Sequence, residues 1–88
     1  MQTEQMISDL IREAIPGAWI DAREMANTDA VMVAFSDNRL GTDGKMATGH
    51  IVLSRLELRK ARDVDALVRH RTAAAIADYT RKQAAFAA

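Results

Sequence analysis

The sequence predicts an α+β fold: a single domain in α-β-β-β-α order, with a three-stranded antiparallel sheet and two helices packed on one face. Three observations lead there. Apolar residues recur at helical spacing over residues 3–15 and again from about residue 63 to near the end. Between these lie three strand-like stretches, 18–26, 30–37 and 50–59. Their connections are short, which favours antiparallel neighbours, and two amphipathic helices find an economical site on one sheet face. A chain of 88 residues has room for one such domain, over residues 1–88, with a thin core.

In the first helix Met6, Ile7, Leu10, Ile11 and Ala14 form one stripe, and Glu4, Ser8, Asp9, Arg12 and Glu13 lie on the other side. Thr3 is placed to cap its N-terminus, and Pro16-Gly17 stops it. In the first strand Ala18, Ile20 and Ala22 share one face; Trp19, Asp21, Arg23 and Met25 share the other. Asn27-Thr28-Asp29 reads as a turn. The next strand, "AVMVAFSD", is apolar on both faces and suits the middle of a sheet. In "HIVLSRLELR" the alternation groups Val52, Leu56 and Leu58 on one face with Ser54. Ile51, Leu53, Arg55 and Glu57 fall on the other. The last helix carries Val64, Leu67, Val68, Ala75, Tyr79 and Phe86 on one stripe, with Asp63 as N-cap or first-turn acid and Asp65–Arg69 and Asp78–Lys82 as i, i+4 pairs.

Composition narrows the function classes. With no cysteine there is neither a disulfide scaffold nor a thiolate metal site. No stretch nears the roughly 20 apolar residues of a membrane span. The start, "MQTEQMISDL", lacks the basic and apolar regions of a signal peptide, so the expected location is cytoplasmic and no membrane partner is expected. The 12 basic and 12 acidic residues cancel overall but not locally: residues 1–54 hold four Lys/Arg and eight Asp/Glu, and residues 55–88 hold eight and four. Such a dipolar chain can steer a partner or a second copy of itself.

The stretch "RLGTDGKMATGH", residues 39–50, holds three of the four glycines and a Gly-Lys pair. A phosphate-binding Walker loop needs G-x-x-x-x-G-K-[ST] before a helix. Here Arg39 stands at the first glycine, Met46 at the hydroxyl, and an extended segment follows. The expected element is a long hairpin loop turning at Asp43-Gly44. The histidines, His50 and His70, have no metal-ligand spacing, and no serine sits in a Gly-x-Ser-x-Gly elbow. The expectation is therefore a non-enzyme with no cofactor, no metal and no small-molecule substrate.

The element order resembles that of double-stranded RNA-binding domains, in which a basic cluster opens the second helix. "RKAR" at 59–62 is similar in type, but the chain lacks that family's Gly-Pro-x-His loop. "VMVAFSDNRLGTDGK" and "VRHR" resemble segments of BolA-like proteins, with "HIVLSRLEL" intervening here. The chain is assigned to neither family.

The function expected from these residues is that of an interaction module, a small accessory or inhibitory factor of the kind mobile elements encode. It would bind a protein partner, or a second copy of itself, through the sheet face left open by the helices. Trp19, Arg23, Met25, Ile51, Leu53 and Arg55 are the candidate contact residues, because exposed apolar patches mark partner sites and Trp and Arg are common anchors. The alternative is nucleic-acid binding through Arg39, Lys45, Arg59, Lys60, Arg62 and Arg69.

Overall fold

The computed structural model describes residues 2–25, 30–37 and 47–87, with residues 2, 23–25 and 86–87 described by their backbone alone. The elements are α1 (Gln2–Ala14), β1 (Trp19–Met25), β2 (Ala30–Ser36), β3 (Gly49–Ser54), α2 (Arg55–Lys60) and α3 (Val64–Ala87). The three strands form an antiparallel sheet in the order β1-β2-β3, so that β1 and β3 are its edge strands among the described residues. This is the α+β architecture the periodicities predict, with one helix more than expected.

The sheet and helices close on a single core. Ile7 and Ile11 of α1, Val31, Val33 and Phe35 of β2, Ile51 and Leu53 of β3, and Val68 and Tyr79 of α3 are buried together. Both long helices therefore pack on one sheet face. Leu67, Ala75 and Ile76 of α3 pack partly against the same cluster, whereas Val64, expected on that stripe, is exposed. The Phe86 side chain lies outside the described residues. The Tyr79 ring tilts against Phe35 with centroids 5.2 Å apart, and its hydroxyl accepts a hydrogen bond from the Asp37 backbone N–H at 3.0 Å. Burial, followed by the Asp37 carboxylate, pushes the Tyr79 hydroxyl above its ordinary value.

Local chemistry explains the joints. α1 ends in a type II turn: Pro16 and Gly17 are its two central residues, Gly17 has φ +80°, and the Ala18 N–H closes the turn on the Ile15 carbonyl at 3.1 Å. α1 begins at Gln2, so Thr3 sits within its first turn rather than capping it. The expected Asn27-Thr28-Asp29 turn, the Asp43-Gly44 hairpin tip and the rest of residues 38–46 lie outside the described residues.

The third strand is where the structure departs from the sequence reading. It ends at Ser54, and "RLELRK" is a helix. Ser54 and Glu57 form a capping box: the Glu57 N–H donates to Ser54 Oγ at 3.0 Å, and the Ser54 N–H donates to Glu57 Oε2 at 3.0 Å. This satisfies two helix-end donors that an extended chain would leave to other partners. Arg71 of α3 then pairs with Glu57 and reaches the Val52 carbonyl at 3.4 Å, covering part of the outer edge of β3.

The hydrogen bond from the Ser54 backbone holds the Glu57 carboxyl below its ordinary value; desolvation opposes this, and the Arg71 charge adds to it. A lowered folded-state pKa means that folding favours the ionised form. Its contribution is fully present above the unfolded carboxylate value and is lost as pH falls through the lowered one. Glu57→Gln should therefore lower the melting temperature more at about pH 7 than near pH 2, because the ionised carboxylate that folding favours is progressively protonated as pH falls. An equal loss at both pH values, in paired thermal melts, would show that the charge of Glu57 contributes nothing.

Candidate functional site

Register decides which side chains share a face, because residues directly opposite in antiparallel strands point to the same side. Ile20 pairs with Phe35 and Ala22 with Val33; Val33 pairs with Ile51 and Val31 with Leu53. That set faces the helices. The other set faces away: Trp19 opposite Ser36, Asp21 opposite Ala34 opposite His50, Arg23 opposite Met32 opposite Val52, and Met25 opposite Ala30 opposite Ser54. No described element covers this second face.

On the central strand Ala30, Ala34 and Ser36 are buried, and Met32 is half-buried. Trp19 on β1 is 46% exposed and Val52 on β3 is 49% exposed, with His50 exposed beside it. Trp19 and Val52 are thus the large apolar side chains that stand exposed on this face among the described residues. At the Trp19 end, the Ser36 hydroxyl donates to the Ala47 carbonyl at 2.9 Å and ties β2 to the approach of β3.

Of the expected contact residues, Trp19 lies on the outer face as the alternation predicts. Arg23 and Met25 occupy strand positions on that face, and their side chains lie outside the described residues. Ile51 and Leu53 do not join them. They are 3% and 0% exposed and belong to the core. Arg55 is not on the sheet either: it opens α2, and with Thr3, Leu58, Arg59 and Val64 it lines a cavity of about 480 Å³ beside the start of α1. The physical reason is the early end of β3. Leu56 and Leu58, read as strand residues, assign Val52 to the inner face. Once α2 begins at Arg55 they no longer bear on the pleat, and Ile51 and Leu53 outweigh Val52. A one-residue change of phase moves every side chain to the opposite face. The sequence carried a signal for this in Ser54-x-x-Glu57, the capping-box pattern. His50, Val52 and Met32 are the face residues that sequence reasoning missed.

The cations of the alternative reading are dispersed. Arg69 binds Asp65 at 2.8 Å, and this hydrogen bond, with the Asp65 charge, raises its pKa. On the same helix Arg81 and Lys82 both pair with Asp78 at 3.2 Å, whose carboxyl is lowered first by the hydrogen bond to Lys82. Arg59, Lys60 and Arg62 are exposed and enter no ion pair among the described residues. Arg39 and Lys45 lie outside the described residues. Among the described residues no three His, Asp or Glu side chains stand together as metal ligands, and no helix is long and apolar enough to cross a membrane.

No protein-family model, curated protein or solved structure matches the chain.

Proposed function

We propose that the chain is a non-enzymatic interaction module, a small accessory protein that docks a protein partner on the sheet face that no described element covers. The observation that carries this reading is the pair of large apolar side chains, Trp19 and Val52, each about half exposed on one continuous face. Exposing them costs the isolated fold hydration free energy that a partner would recover. Tryptophan is also among the most frequent energetic anchors of interfaces.

The test is capture of partners from host extract by the immobilised chain, with and without nuclease. Trp19→Ala and Val52→Ser should each leave the circular dichroism spectrum intact. The tryptophan variant should weaken binding by about 30-fold, as loss of an interface anchor does. A Trp19→Ala chain that unfolds would make Trp19 a structural residue and end this reading.

The exposed trio Arg59, Lys60 and Arg62 favours a second reading, in which the α2–α3 junction contacts phosphates. Binding would then vanish with nuclease and fall with salt at a log–log slope of about −2.7 for three contacts. Apolar docking on the sheet is screened far less.

A further inference from the structure

We propose that β1 is a self-association edge: two copies pair antiparallel along Trp19–Met25, with the two-fold axis at Ala22, to form one continuous six-stranded sheet. The two edges of the sheet differ. β3 has Arg71 reaching its outer carbonyl at Val52 and runs directly into α2. β1 has a hydrogen-bonded strand on one side only among the described residues. An unprotected edge presents a row of unpaired backbone donors and acceptors and is a template for another strand. The core thins at β1, where Ile20 packs only partly buried against it. Ala22, on the face that carries the helices, is exposed, and so is Trp19 on the opposite face, whereas β2 is buried almost throughout.

The sequence of β1 is complementary to itself in reverse. Pairing about Ala22 sets Trp19 against Met25 of the second copy, Ile20 against Glu24, and Asp21 against Arg23, each twice by symmetry. Asp21 and Arg23 occupy the same face by register, so two cross-strand pairs of opposite charge form there. Moving the axis by one residue loses this match. Centred on Asp21, two aspartates face each other; centred on Arg23, two arginines do, and like charges directly opposite are destabilising. Only the Ala22 register also uses all seven residues of the strand.

Area favours the same arrangement. Three strands about 4.8 Å apart and about 20 Å long give an outer face of roughly 300 Å². That is well under the roughly 800 Å² that each side of a standard interface buries. Joining two sheets edge to edge doubles the continuous face and sets two Trp19 side chains on it. The edge pairing does not depend on what the face binds. Val52 lies two strands from this edge, so Val52→Ser tests the face and leaves the dimer intact.

The experiment is sedimentation velocity over a concentration series, with circular dichroism as the control for folding. The natural chain should reach twice the mass of one chain at high concentration. Asp21→Arg and Arg23→Asp should each weaken self-association at least about tenfold. An equimolar mixture of the two should recover it. The first variant carries arginine at both positions and the second carries aspartate at both, so each cross-strand pair between them joins opposite charges. The Asp21→Arg/Arg23→Asp double variant should also dimerise and serves if a single variant misfolds. In the natural chain, amide exchange along β1 should slow as concentration rises. A natural chain that stays monomeric, β1 exchange that ignores concentration, or variants that associate as well alone as mixed would each overturn the proposal.

Discussion

Gly49→Ala should destabilise the fold by about 3 kcal/mol, at the upper end of overpacking costs, and lower the melting temperature by roughly 15 °C in a chain of this length. Gly49 opens β3 directly opposite Phe35, and the Phe35 ring lies across it. A methyl group at Gly49 would stand 2.6 and 2.7 Å from Phe35 Cε1 and Cε2, and closer still to Cζ. The ring has nowhere to go. It is fully buried and held on its other side by Tyr79. The requirement is for close approach and not for backbone freedom, since Gly17 is the glycine with positive φ among the described residues. A double-mutant cycle separates this cause from others. In a Phe35→Leu background, where a smaller side chain leaves room, Gly49→Ala should cost less by about 1 kcal/mol or more. An equal cost in both backgrounds would mean that the ring contact is not the reason.

Leu53→Ala should cost about 3 kcal/mol, within the range for a fully buried leucine, while Val52→Ala should stay within about 0.5 kcal/mol, as for other exposed positions. The two residues are neighbours in sequence with similar side chains, so chemistry alone cannot separate them. Phase on the pleat does: Leu53 is opposite Val31 in the core, and Val52 is opposite Met32 on the outer face. The contrast matters for function because it assigns the contact role to Val52 and removes it from Ile51 and Leu53. Chemical denaturation of both variants decides it. Comparable losses, or a larger one for Val52, would reverse the faces of the sheet and with them the candidate site.

How much of this was legible in the sequence follows from how local each signal is. The stripe of α1, its arrest at Pro16-Gly17 and the phase of β1 with Trp19 facing away from the helices are set by residues within a few positions of one another. So is the doubly apolar run of β2, which the structure places at the centre of the sheet. These preferences act before any long-range contact forms, and the α+β class follows from them.

The end of β3 was also written locally, in the Ser54–Glu57 capping box, but there it competed with an alternation that fits "HIVLSRLEL" equally well. Two backbone hydrogen bonds and the Arg71 ion pair favour the helix, and the last of these comes from a residue 14 positions away. The inward face of β3 and the glycine at position 49 were decided further still from their own neighbourhood. The first depends on pairing with β2 across the 37–48 connection, and the second on the Phe35 ring that α3 presses into the sheet through Tyr79. Periodicity states that a strand has two different faces. Only the partner strand and the helices above it determine which of them is covered, because burial is a property of what lies opposite a residue and not of the residue itself.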